Sequence, residues 1–198
     1  MTRRIGLFGG SFDPVHVAHL ALARAALAQL ALDELRWVPA GQAWQKTRAM
    51  TPAVHREAML RLAIADEPRW RLERCELQRS GPSYTVDTVR ELQAAEPGAS
   101  WFLVIGQDQY AGLHTWHRFD ELLRLVTLAV ALRPGAAAEA DPRVRAAPLL
   151  RIELPPMAVS ATAIRARVAA GEGIAGLVPP AVADYIYRHR LYRSAPGS

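Results

Sequence analysis

The stretch Gly9-Gly10-Ser11-Phe12-Asp13-Pro14-Val15-His16-Val17-Ala18-His19 decides how this chain is read. It follows a short apolar run, Arg4–Phe8, and opens Val17–Leu32, where Leu20, Ala23, Leu27 and Leu30 recur at three- or four-residue steps. That succession predicts a strand, a glycine turn and a helix. A glycine pair lets a ligand approach the backbone and exposes amide N–H groups, and the helix N-terminus behind it carries partial positive charge. Both features suit phosphate. His16 and His19 share a helix face, from which two imidazoles can donate to phosphate oxygens as charge builds during phosphoryl transfer. The pattern is neither Walker A, which needs Gly-Lys-Ser/Thr, nor the dinucleotide fingerprint with its three spaced glycines. Taken locally, two alternatives stay open: a tight turn with incidental histidines, and a zinc site whose further ligands the sequence does not identify.

Working outward, strands and helices keep alternating. Leu35–Val38 reads as a second strand, and Thr51-Pro52 as the cap and first position of a helix running to about Asp66. Trp70–Leu77 is expected to hold a strand, and Ser83 to cap a helix over Thr85–Ala95. Trp101–Ile105 is a continuous apolar run, as in a strand buried on both faces. Phe119–Leu125 reads as a helix, Thr127–Leu132 as a buried strand, Ala136–Pro148 as a loop and Leu149–Leu154 as the last strand. Helices close the chain at about Ala161–Ala170 and Pro180–His189. Alternation of this kind predicts an α/β fold with a mostly parallel sheet. Ligands of such folds lie at the carboxyl ends of the strands, here after Phe8, Val38, Ile105 and Leu132.

Composition narrows the function. A chain of 198 residues suits one domain over its whole length, with an ordered core from about Arg4 to Arg193. With 51% hydrophobic and 22% charged residues it is not a disordered chain. No apolar run reaches the span of a membrane helix. Thr2-Arg3-Arg4 imitates the start of a signal peptide, but Ile5–Phe8 is too short to continue it. The lone Cys75 excludes an internal disulfide framework and a cysteine-based zinc site, so a cytoplasmic protein is expected. The 24 basic and 19 acidic residues give a net charge of +5, and all the basic ones except Lys46 are Arg. They are dispersed, with no run beyond two, which argues against a nucleic-acid surface and fits an anionic small molecule.

The stretch Gly9–His19 resembles the GGxFDPxHxGH signature of the nucleotidyltransferase α/β phosphodiesterase superfamily. Val159-Ser160-Ala161-Thr162-Ala163-Ile164-Arg165 resembles that superfamily's ISSTxIR element. Intermediate segments are similar to those of bacterial nicotinate-nucleotide adenylyltransferases: Gln45-Lys46, His55–Met59, Ser83–Thr88, Ile105–Asp108, Trp116 and Leu132–Gly135, with Tyr185-Ile186 and Leu191–Arg193 near the end. The resemblance covers roughly Arg4 to Arg193. It implies a Rossmann-like sheet with helices on both faces, and a reaction joining the adenylyl group of ATP to nicotinate mononucleotide, with Mg2+ required. Two positions depart from the signatures: Ala18 replaces Gly and Ala161 replaces Ser.

The resemblance also implies roles. His16 and His19 would be catalytic and bind the ATP phosphates. Gly9, Gly10, Phe12, Lys46, Gly106, Asp108, Ser160, Ile164 and Arg165 would complete the ATP site, with Arg48 as a helper. Lys46, Thr85, Asp108, Trp116 and Arg133 would hold nicotinate mononucleotide, Trp116 stacking on the pyridine ring. Tyr84, Asp87 and Thr88 are read as structural, and Cys75 as inert. No metal ligand is expected from protein side chains, since Mg2+ would be held mainly by ATP phosphates. Neither nucleic acid nor membrane is an expected partner, and the chain is expected as a monomer or small homo-oligomer. The rival readings are a phosphopantetheine adenylyltransferase, whose signature has Thr at the position of His16, and a non-catalytic nucleotide sensor on the same fold.

Overall fold

The strands are apolar on both sides because each side meets a different layer of helices. In the computed structural model, which describes residues 2–41, 50–132 and 140–193, β1 (Arg4–Gly10), β2 (Glu34–Pro39), β3 (Trp70–Leu72), β4 (Ser100–Gly106), β5 (Thr127–Leu132) and β6 (Leu149–Glu153) form one sheet. Its order is β3-β2-β1-β4-β5-β6, and all neighbours are parallel. Side chains alternate between faces at period two. Ile5, Leu7, Trp101, Leu103, Ile105, Leu128 and Val130 join one apolar cluster. Phe8, Phe102, Val104 and Ala129 join the other.

The first cluster is covered by α4 (Thr85–Ala95), α5 (Gln107–Ala111), α6 (Phe119–Leu125) and α7 (Pro142–Arg145). The second is covered by α1 (Val17–Gln29), α2 (Ala53–Ile64), α8 (Ala161–Ala169) and α9 (Pro180–Arg188). Gln29, the last residue of α1, pairs with the main chain of Glu153 through both amide atoms, each at 2.8 Å. A side chain thus occupies part of the exposed edge of β6, as a further strand would.

Strand order reverses between β1 and β4. Connections leaving these two strands run to opposite faces, so a crevice opens at their carboxyl ends. The structure corrects several local expectations. The strand expected over Trp70–Leu77 stops at Leu72, and Cys75–Gln78 form the short helix α3. Pro52 is the N-cap of α2 rather than its first helical residue. Tyr84, not Ser83, caps α4. The expected loop Ala136–Pro148 contains α7, whose N-terminus Asp141 caps by accepting from Arg143 N–H at 2.9 Å.

Candidate active site

A cavity of about 510 Å³ lies in that crevice, bordered by the ends of β1, β2, β4 and β5 and by the start of α1. The glycine pair at its floor does two jobs. A Cβ on Gly10 would lie 3.0 Å from the Phe12 ring, so the fold itself asks for glycine there. A Cβ on Gly9 would meet nothing nearer than the Val38 carbonyl at 4.0 Å. Packing therefore leaves Gly9 free to vary, and the space in front of it belongs to the cavity. Phe12 turns the loop with φ of 45°, a left-handed conformation costly to a non-glycine residue unless its surroundings hold it. Here they do: its buried ring packs against Phe8, Trp37 and His19 at centroid distances of 5.6, 5.4 and 5.2 Å.

His16 and His19 both border the cavity, their rings stacked at 3.6 Å with an interplanar angle of 21°. The main-chain N–H of His16 donates to Nδ1 of His19 at 3.2 Å. Nδ1 is therefore an acceptor, and the neutral His19 ring carries its proton on Nε2, ready to donate. Burial lowers the pKa of His16 to about 4. Burial lowers that of His19 well below its usual value, and the neighbouring His16 adds to the effect. Both rings are neutral at pH 7. Among the described residues, Nδ1 of His16 is buried without a hydrogen-bond partner. At the start of α1, Val17 N–H is engaged by the Leu177 carbonyl at 3.0 Å, so the helix end is tied in part to the fold.

The family model described as cytidylyltransferase-like matches residues 7–167. A probable nicotinate-nucleotide adenylyltransferase of Methylibium petroleiphilum is 54% identical, covering 98% of this chain and 95% of its own length. One of Albidiferax ferrireducens is 50% identical over 98% and 100% of the two chains. The chain belongs to the nicotinate-nucleotide adenylyltransferase family. At the level of fold, it matches Plasmodium falciparum nicotinic acid mononucleotide adenylyltransferase complexed with NaAD, with a TM-score of 0.77, 19% identity, and coverage of 96% and 97%. The same enzyme complexed with APC gives a TM-score of 0.78.

In this family member Gly9, Gly10, His16, His19, Thr85, Gly106 and Trp116 converge on the cavity from four segments of the chain. The two departures do so too: the Ala18 and Ala161 positions both border it. Other expected residues stand back. Phe12 and Ile164 are core residues, 1% and 0% exposed, rather than cavity wall. Asp108 is exposed in the first turn of α5 and is not among the wall residues, whereas Gln109 is, and Gln109 accepts from Gly106 N–H at 3.1 Å. Ser160 caps α8, accepting from Ala163 N–H at 3.1 Å. Arg165 donates to the Asp13 carbonyl at 2.7 Å and to Thr162 Oγ1 at 3.1 Å. Lys46, Arg48 and Arg133 lie outside the described residues.

The cavity also holds residues that the sequence did not single out. Glu76 on α3 is 9% exposed and accepts from the Thr88 hydroxyl at 2.8 Å. Burial raises its pKa, opposed by the Thr88 hydrogen bond and by Arg79. Its carbonyl lies so close to Gly41 that a Cβ there would come within 2.1 Å, so only glycine fits. Beside it the buried Ser83 hydroxyl has no partner among the described residues. Tyr84, read as structural, borders the cavity and stacks on His117 at 4.2 Å. Glu76 was hidden by the strand expected over its segment. Next to it, burial pushes the Cys75 thiol up to about 12, which keeps it inert. Among the described residues no group of three or more His, Cys, Asp or Glu could hold a metal ion.

Proposed function

We propose that this chain transfers the adenylyl group of ATP to the phosphate of nicotinate mononucleotide, giving deamido-NAD and pyrophosphate. An oxygen of the mononucleotide phosphate bonds to the α-phosphorus while the bond from that phosphorus to the pyrophosphate oxygen breaks. The nucleophile is already an anion, so no general base is required. The protein must align two phosphates and offset their charge. One observation carries the proposal: two stacked, neutral imidazoles face the cavity beside the open space in front of Gly9. His19, donating through Nε2, would stabilise charge at the α-phosphate, with His16 beside it. Anionic ATP would raise the pKa of both rings toward protonation.

The remaining roles follow the same logic. The main chain at Gly9 and Gly10 would line the adenylyl site with Gly106, with Phe12 and Ile164 supporting it from the core. Lys46, Ser160 and Arg165 would meet the phosphates. Asp108 would accept from ribose hydroxyls, Trp116 would cover the pyridine face, and Thr85 and Arg133 would contact the mononucleotide. When bound, Mg2+ supplies further offset of phosphate charge. ATP phosphate oxygens would hold it.

A second acceptor, the amide nicotinamide mononucleotide, is favoured by one residue. Glu76 places a buried acceptor in the same cavity as Thr85, and an amide has N–H donors to offer it. The acid is still the preferred acceptor, because the Thr88 hydroxyl already engages Glu76, and amide donors left facing donor groups cost about 1–3 kcal/mol each. Comparing kcat/KM for the two acceptors at one ATP and Mg2+ concentration tests this. The expected outcome is a preference for the acid of about ten-fold or more. Equal values would make the enzyme dual-specific, and no pyrophosphate release with either would overturn adenylyl transfer.

A further inference from the structure

The loop bearing His16 is held from behind by a hydrogen-bonded group centred on Asp13, which is 0% exposed. The Tyr192 hydroxyl donates to Asp13 Oδ1 at 2.8 Å, and the main-chain N–H of Thr51 donates to Oδ2 at 3.3 Å. The carbonyl of the same residue accepts from Arg165 Nη1 at 2.7 Å. Arg56, 2% exposed, donates to the Thr51 carbonyl at 2.9 Å and to the Ser11 carbonyl at 3.0 Å. Burial lowers the pKa of the Arg56 guanidinium, and the charge of Asp13 is the chief influence opposing that shift. One residue thus joins the turn after α9, the segment before α2, the middle of α8 and the glycine loop.

Tyr192 reaches this position by an unfavourable backbone route. After α9 the chain turns through Arg190 and Tyr192 with φ of 52° and 63°, and Leu191 N–H bonds back to the Ile186 carbonyl at 3.0 Å. Two non-glycine residues in left-handed geometry persist only where the surroundings over-determine them. The turn delivers the Tyr192 ring inward, its hydroxyl also 4.0 Å from Met59 Sδ.

We propose that Tyr192 is a positioning residue for adenylyl transfer: its hydroxyl orients Asp13, and the Asp13 carbonyl sets the Arg165 guanidinium relative to His16. This inference rests on the proposed reaction. Without the hydroxyl, the buried carboxylate loses one of its donors and turns toward the remaining partners. The peptide carrying the Asp13 carbonyl shifts with it, and Arg165 moves off the line to the ATP phosphates. Displacements well under the length of a bond are enough to slow an in-line transfer.

Tyr192→Phe removes one oxygen and keeps the ring. The expected result is a folded protein by circular dichroism, with kcat/KM for ATP down about five-fold, no more than the loss on removing Arg165 itself, and the KM for the mononucleotide changed less than about two-fold. In an Arg165→Ala background the same substitution should cost almost nothing more, because the two residues act in series. A folded Tyr192→Phe with wild-type kinetics, or with a loss that is undiminished in Arg165→Ala, overturns the proposal. So does a variant that stays unfolded even in the cold, since the hydroxyl would then serve the fold as a whole. The proposed reaction fails separately: wild-type protein would release no pyrophosphate from ATP and nicotinate mononucleotide. In that case the rise in thermal midpoint on adding ATP, compared between wild type and Tyr192→Phe, still decides whether the hydroxyl shapes a nucleotide site.

Discussion

The two ends of the sheet handle ionisable groups in opposite ways. At the amino end, Glu34 and Arg36 of β2 are 5% and 9% exposed, and both are paired. Glu34 meets Arg36 at 2.8 Å and Arg3 at 2.7 Å, while Arg36 also reaches Glu96 and Glu73. Arg36 additionally lies over the Trp101 ring, 5.3 Å from its centroid. At the carboxyl end, His16 and His19 stack on each other, desolvated and neutral, and polar atoms of His16 and Ser83 have no partner among the described residues. Paired buried charges hold elements together. Unpaired, desolvated groups at the mouth of a cavity cost stability and are kept for a ligand. The contrast lies along one strand: Glu34 and Arg36 begin β2 in the ion network, and Val38, on the same face, ends it at the cavity.

Breaking the amino-end network should give the largest effect on folding and the smallest on chemistry. Arg36→Ala strands a buried Glu34 with fewer partners and should destabilise the fold by about 3–5 kcal/mol in urea unfolding, with kcat per folded molecule unchanged. His19→Ala should do the reverse, lowering kcat by about 10²-fold or more with the smaller cost in stability that losing its packing on Phe12 brings. Steady-state kinetics beside a thermal melt checks both halves.

Acid sharpens the contrast. A histidine whose pKa is lower folded than unfolded contributes nothing adverse above about pH 6.5. As pH falls from there toward 4, the folded-state value of His16, the unfolded chain takes up a proton that the folded chain refuses, and stability drops. Below that value the contribution levels off. His16 should account for about 2 kcal/mol of loss across the window, after discount for its partial solvation. His16→Asn should flatten the curve measured by urea unfolding against pH. The smallest change is expected from the cations proposed to meet the ATP phosphates. Lys46→Ala and Arg165→Ala should each weaken kcat/KM for ATP by about 1 kcal/mol or more, with a shallower salt dependence than wild type. Unchanged ATP kinetics in both would make them surface charges.

Much of this is legible before any coordinates. The alternation of apolar runs announces a parallel α/β sheet, and a strand followed by Gly9-Gly10 and two histidines announces where a phosphate would sit. Local pattern failed where tertiary contact overrode it. Cys75–Gln78 looks like the end of a strand, yet folds as a helical turn that carries Glu76 into the cavity. Ile164 belongs to a motif, yet a helix offers each residue only one direction, and its own faces the core. Asp108 and Gln109 are adjacent, and only the start of α5 decides that Gln109 borders the cavity.

By itself the sequence determined the fold class, the family resemblance and the histidine pair, because these depend on residues close together or on fixed spacing. Tertiary structure alone decided which charges are paired and which are not. Arg3 with Glu34 and Glu96, or Asp13 with Tyr192, meet only after the sheet has been assembled and the chain has turned back after α9. Spacing along a chain says which side chains share a strand or a helix face. The distance between two elements, and the water excluded between them, arise only when the layers pack, and that is where the pKa of His16 and the partners of Asp13 are settled.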